Sequence, residues 1–202
     1  MAVKHEQLSL DTQAGKVTYL DITLQLRKAI KNSGIQDGLC AITTPHTTCS
    51  VIFEEYVHDK DWKGDEFLQV DQNRILDKLI PRQYTESDYL YPGPAHVEFL
   101  KDLAAKDPNY LPDPVSILNA DAHIKGSFFG ASETVIIKDG EPLIGSVGYL
   151  YFVDWDQKKY NRSDFTQDCT SFFNYLLRKK TLNLDRRSFR RIRGVNNIFT
   201  GI

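Results

Sequence analysis

The chain lacks paired cysteines. Cys40, Cys49 and Cys169 are odd in number and scattered through 202 residues. No disulfide framework and no Cys-x-x-Cys redox or zinc motif is therefore expected, and a reduced cytoplasmic protein is the simplest reading. No apolar run approaches the roughly 18–20 residues that a membrane helix needs. The start, Met1-Ala2-Val3-Lys4-His5-Glu6, has no apolar signal core, so no membrane partner is expected. Charge of one sign is also lacking: 25 Lys and Arg against 27 Asp and Glu leave a net −2, which gives no global reason to expect nucleic acid. There is no strained Gly-x-Ser-x-Gly turn of the hydrolase kind. The Gly126–Gly130 stretch has neither nucleotide-loop glycine pattern.

With 41% hydrophobic and 26% charged residues, the composition is that of an ordinary globular domain. The length suffices for one full core. Alternation predicts strands over Lys4–Leu10 and Val17–Leu20. A helix follows with apolar positions Ile22, Leu26, Ala29 and Ile30, capped by Asp21 or Thr23 and closed at Gly34. Leu39–Thr43 and Val51–Phe53 read as buried strands. Helices are predicted over Asp65–Ile80, near Val97–Ala105, over Asn119–Gly130 and over Phe165–Arg178. A hairpin turned at Asp139-Gly140 joins Glu133–Ile137 to Glu141–Trp155, whose long strand Leu143–Trp155 is apolar on both faces. Charge is uneven: Arg178–Arg193 carries +7, so the rest of the chain carries −9. That basic tail is more commonly a solvated surface than a nucleic-acid contact.

Two short segments concentrate the chemistry. The first is Thr43-Thr44-Pro45-His46-Thr47-Thr48-Cys49-Ser50, running on to Glu54-Glu55; the second is Asn119-Ala120-Asp121-Ala122-His123-Ile124-Lys125. Each joins an imidazole, which titrates or binds metal near neutral pH, to hydroxyl, amide, carboxylate or ammonium groups. His46 follows a strand end, where side chains converge on pockets. Its bland alternative is a histidine satisfied by threonine hydroxyls. Asn119, His123 and Ser127 share one helix stripe, and a capping role is the alternative for that stripe. Glu54 and Glu55 point to opposite faces of a strand, so at most one joins a site. Asp121 is either a first-turn charge on the helix dipole or a cation ligand.

The segments Pro45–Glu55, Asn119–Gly130 and Asp139–Asp156 together resemble the YjbQ-like family, whose members are sometimes called secondary thiamine-phosphate synthases. The likeness runs from about Val17 to Asp156. It implies an α+β fold, a compact β-sandwich-like mixed sheet with flanking helices, assembled as a homotrimer. It also implies an ability to join a pyrimidine diphosphate to a thiazole phosphate. The domain then spans residues 1–156, with insertions near 56–70 and 87–115, and residues 157–202 form a helical basic extension. His46, Thr47, Thr48 and Glu55 match the first family motif; Asn119, His123 and Lys125 match the second. Glu54 stands where many relatives have Asn. The family's third histidine falls at Glu86, with His96 from the insertion as the alternative. Gly145-Ser146-Val147-Gly148 replaces a Gly-Thr-Trp-Gln stretch.

The resulting expectation is a pocket for a phosphorylated small molecule. His46, His123 and Glu55 would act as catalytic groups, and Thr47, Thr48, Asn119 and Lys125 would hold substrate. A divalent metal, Mg²⁺ or Zn²⁺, would be held by His46, His123 and Glu86. A non-catalytic metal- or metabolite-binding protein is the other reading, favoured by the missing Trp-Gln pair.

Overall fold

In the computed structural model, which describes residues 3–106 and 116–158 together with the strand backbone of 169–176, sequence alternation becomes two antiparallel sheets. In chain order the elements are β1 (Val3–Leu10), β2 (Thr18–Asp21), α1 (Thr23–Ser33), β3 (Gly38–Thr43), β4 (Cys49–Glu55), α2 (Phe67–Leu79), α3 (Gly93–Lys106), α4 (Ala120–Phe129), β5 (Ser132–Lys138), β6 (Glu141–Pro142), β7 (Gly148–Asp154) and β8 (Cys169–Leu176). One sheet has the order β1-β8-β3-β5-β6 and the other β2-β7-β4. The fold is α+β, as expected, and every pairing among the described strands is antiparallel.

The sandwich follows from period-two burial. Cys40 and Ile42 of β3, with Val135 and Ile137 of β5, face Val51 of β4 and Leu150 and Phe152 of β7 across one core. The amphipathic helix α1 adds Leu26, Ala29 and Ile30 to it. Its start is tied to β7, where Thr23 Oγ1 accepts from Leu150 N at 2.9 Å. Its end is Gly34 in a left-handed conformation, φ 71°, which only glycine adopts without strain. The alternate β7 residues, Tyr151 and Val153, enter a second core with Ile52, Leu76 of α2, Ala122 of α4 and Trp155. β7 is therefore covered on both faces, which explains its continuous apolar sequence.

Two expectations are corrected. The strand Glu141–Trp155 is not continuous: β6 pairs with β5 through Ile137↔Pro142, whereas β7 pairs with β2 and β4 in the other sheet. The intervening residues 143–147 carry the chain between layers, with Gly145 at φ 72°. The helix expected over Phe165–Arg178 is instead a strand across Cys169–Leu176, paired on both sides, with β1 and β3. The aromatic and β-branched residues of that segment, Thr170, Phe172, Phe173 and Tyr175, favour a strand. It is thus part of the sheet rather than of a helical extension. The basic residues 178–193 lie outside the described residues.

Truncation before Cys169 tests this placement. It removes β8, leaving β1 unpaired and β3 without one of its two neighbours, so thermal unfolding followed by circular dichroism should lose its cooperative transition. A truncated chain that melts like the full one would mean that β8 is dispensable to the sheet.

Candidate functional site

Asn119 precedes α4, Asp121 complements its first turn, and Gly130 ends it. The helix is set against the His46–Thr48 loop by one close approach. A Cβ on Gly126 would lie 2.6 Å from the Thr47 carbonyl oxygen, so only glycine fits there. Ser50 reinforces the contact, donating weakly to the Gly126 carbonyl at 3.4 Å and accepting from Trp155 Nε1 at 2.9 Å. Phe129 stacks on Trp155 with centroids 4.9 Å apart. His123 lies one turn before Gly126, and its ring is hydrogen-bonded to the backbone of Thr47. Thus the two sequence motifs meet, and the Thr47 main chain is their junction.

His123 also lines a pocket of about 380 Å³ with Tyr89, Leu90, Tyr91, Ala120 and Ile124. The Tyr91 hydroxyl lies 3.4 Å from His123 Nε2 and 3.4 Å from His96 Nε2. Both distances are long for hydrogen bonds. The tyrosine ring stands 5.3 Å, centroid to centroid, from each imidazole. The second imidazole beside Tyr91 is His96, delivered by α3. His46 is half-buried in the adjoining loop, its N–H donating to Thr44 Oγ1 at 3.3 Å, and is absent from the pocket lining.

Beneath the pocket lies a buried polar layer. Gln83, fully buried, receives the Ala120 N–H on Oε1 at 2.9 Å and donates Nε2 to the Tyr91 carbonyl at 2.8 Å. Its own N–H donates to Asp121 Oδ1 at 3.2 Å. The Asn119 side chain donates Nδ2 to Asp156 Oδ2 at 2.9 Å rather than capping α4, and its Oδ1 is buried without a partner. Lys158 Nζ donates to the carbonyls of Gln83 and Leu118.

Burial lowers the pKa of His123 and His96 adds to that; Asp156, the Thr47 bond and Asp121 oppose it. The ring is therefore neutral at pH 7, and a hydrogen bond that favours its charged form is one the ring donates. Since Nε2 faces Tyr91, that bond falls to the other ring nitrogen, leaving Nε2 with a lone pair toward the phenol. Burial raises Asp121, against the pull of the Gln83 bond and the Lys125 charge. Burial also lowers Lys158.

The other expected site residues lie elsewhere. Lys125 is closed from solvent and paired with Asp77 of α2 at 2.8 Å, so it ties α4 to α2 and does not reach the pocket. Thr47 is exposed, whereas Thr48 is buried and its carbonyl accepts from Trp155 N at 3.1 Å. Glu55 is exposed at the end of β4. Its neighbour Glu54 is the one turned toward α2, accepting from Gln69 and Gln72. Glu86 is exposed. Among the described residues no three His, Cys, Asp or Glu side chains converge as a metal site, so His46, His123 and Glu86 do not form the expected one. Tyr91, Gln83, Asp156 and Lys158 were missed by sequence reasoning. Tyr91 was hidden in a Tyr- and Pro-rich stretch that falls in the expected insertion near 87–115. The alternation Asp154-x-Asp156-x-Lys158 at a strand end was the available signal for the last two.

A family model described as UPF0047 protein, YjbQ-like, matches residues 6–171. A UPF0047 protein of Methanocaldococcus jannaschii is 31% identical over 137 residues, covering 68% of this chain and 75% of that one. A UPF0047 protein of Archaeoglobus fulgidus is 26% identical over 156 residues, covering 77% and 94%. Among solved structures, an uncharacterised conserved protein of the YjbQ/UPF0047 family from Clostridium acetobutylicum matches with TM-score 0.58 and 25% identity. It covers 85% of this chain and 99% of that one. A protein of unknown function from Sulfolobus solfataricus matches with TM-score 0.58 and 19% identity, covering 88% and 99%.

Two measurements test this geometry. Gly126→Ala forces α4 away from the Thr47 carbonyl and should cost about 1–3 kcal/mol in denaturant unfolding; unchanged stability would rule out the close approach. In chelator-treated protein, the His123 ring should titrate below its ordinary pKa of about 6.5 by NMR. Asp156→Asn should lower it further and His96→Ala should raise it. A depressed folded pKa means the unfolded chain binds more protons, so the His123 contribution to stability is present above about pH 6.5 and lost as pH falls through the folded value.

Proposed function

The chain belongs to the YjbQ-like UPF0047 family, and from that membership and the pocket's chemistry we propose that it binds a small, planar heteroaromatic metabolite against Tyr91 and His123. The observation that supports this most is the pocket wall itself. A phenol and a neutral imidazole stand beside Leu90, Ala120 and Ile124 around about 380 Å³, room for one or two rings. Apolar burial and edge contacts with Tyr91 hold such a ring, while His123 Nε2 takes a hydrogen bond or a proton from it.

The six residues that line the pocket include no Lys or Arg for the phosphate expected at Lys125. The transfer reaction that the resemblance implies, between a pyrimidine diphosphate and a thiazole phosphate, is the catalytic form of this proposal. Both reactants are heteroaromatic; the bond that joins them forms as pyrophosphate leaves the pyrimidine, and His123 Nε2 would accept a hydrogen bond from the bound ring. The binding-only reading is favoured by Lys125, whose ammonium is committed to Asp77, and by the Gly145–Gly148 stretch without Trp or Gln. A cytoplasmic setting, supported by the buried free thiols of Cys40 and Cys49, and a homotrimer complete the proposal.

Calorimetric titration with each of the two ring compounds, followed by mass spectrometry of their mixture, tests it. Saturable binding should weaken at least about tenfold in Tyr91→Ala and in Ile124→Asp, as expected for loss of one buried contact of about 1.4 kcal/mol or more. Product formation that His123→Ala abolishes selects the transferase; binding without product selects the binding protein. No binding of either compound, or equal binding by both variants, rejects the pocket as the ligand site.

A further inference from the structure

We propose that α3 is a movable wall of the pocket, a lid that turns about Gly93 and brings Phe99 and Leu103 onto Leu90, Ile124 and a bound ring. The proposal rests on the reading of this pocket as a ligand site and names the residues that close it.

The first support is how α3 packs. None of its residues is buried, and none belongs to either hydrophobic core. A helix in a folded protein draws most of its stability from burying an apolar face, and α3 has one. His96, Phe99, Leu100 and Leu103 recur at helical spacing on one side, and Glu98, Lys101 and Asp102 lie on the other. The apolar side is engaged at its start. There the His96 ring stands 5.3 Å from that of Tyr91, and Phe99 stacks on His96 at 6.2 Å. Further along it is open: Phe99 is 59% and Leu103 37% exposed.

The second support is independent and comes from the pocket. Leu90 lines it yet is fully exposed, and Ile124 is 41% exposed. Phe128, one turn past Ile124 on α4, is also exposed. Two helices that meet through His96, Tyr91 and His123 thus each hold an uncovered apolar stripe. Approach of one stripe to the other takes both out of water.

The third support is the hinge. Gly93 begins α3 at φ 68°, a conformation glycine enters without strain. Apart from its chain neighbours, nothing lies within 4 Å of the place a Cβ would take. Hinges are such element-terminal positions, which absorb a change of φ and ψ. Upstream the chain is fixed, because the buried Gln83 amide holds the Tyr91 carbonyl at 2.8 Å. Rotation at Gly93 therefore moves α3 and leaves Tyr91 in place. A bound ring shifts the lid only by touching the closed form more than the open one. Phe99 and Leu103 supply that difference, and closure keeps water from the ring and from His123 Nε2.

The full chain carrying Phe99→Cys and Ile124→Cys tests the motion without any ligand. A disulfide forms only when the two Cα atoms come within about 7 Å. Under mild oxidation an intramolecular disulfide should form slowly. Saturation with the pyrimidine diphosphate or the thiazole phosphate should speed it at least about fivefold. In an otherwise unaltered chain, Phe99→Ser should weaken binding of either compound at least about tenfold. Its melt by circular dichroism should not change, since that side chain is exposed. Leu24→Ser, at an exposed apolar position of α1, should leave binding as it is. The lid is overturned by no disulfide within the chain, by a disulfide between two chains instead, by an equal rate with and without a bound compound, or by unchanged binding in Phe99→Ser. The two ideas fail separately. Binding of a compound without the disulfide removes the lid alone; an intramolecular disulfide with neither compound bound removes that ligand reading and leaves the lid.

Discussion

The approach of Gly126 to the Thr47 carbonyl is the constraint on which the site depends. Two segments separated by about eighty positions are brought to backbone contact because one residue of α4 has no side chain. With that contact made, His123 is placed one turn away, over the same carbonyl, and its ring orientation follows from the hydrogen bond it donates. The carbonyl therefore aligns α4 on β4 and also orients the imidazole. Ser50 and Trp155 extend the contact into the second core, so the site rests on a packed layer and not on a free loop.

Gln83 does for the other wall what Thr47 does for this one. It bonds the start of α4, the Tyr91 carbonyl and Asp121. A fully buried amide is stable only when its donors and acceptors are matched, and here the matching holds the Tyr91 loop beside α4. Lys158 and Lys125 show the same rule for charge. Each ammonium is taken out of water, the first against two carbonyls and the second against Asp77. A buried unpaired ammonium would be strongly destabilising. These lysines belong to the framework, which is why a family-motif lysine is absent from the pocket wall.

The solved structures share the fold at 19–25% identity. The segment carrying Tyr91 and His96 supplies the pocket wall that faces α4. His96 comes from α3, a helix none of whose residues is buried. An imidazole on such a helix reaches the site by lying across Tyr91, with ring centroids 5.3 Å apart.

Several features were legible from residues alone. Local periodicity determined α1, α2 and α4 and the strands β3 and β4, because amphipathic spacing and a glycine at φ 71° act over a few residues. The density of polar groups around His46 and His123 correctly marked the segments that meet. Their partners were decided only by tertiary structure. Residues 169–176 became a strand because β1 and β3 flank them, and flanking strands are invisible to local pattern. The apolar run after Glu141 divides between two sheets because each sheet needs an inner face. His96 stands across Tyr91 from His123, since nearness across 27 positions is set by how Gln83 and Gly126 pin the backbone. Local sequence dictates which residues can form an element, whereas long-range packing dictates which of them face each other.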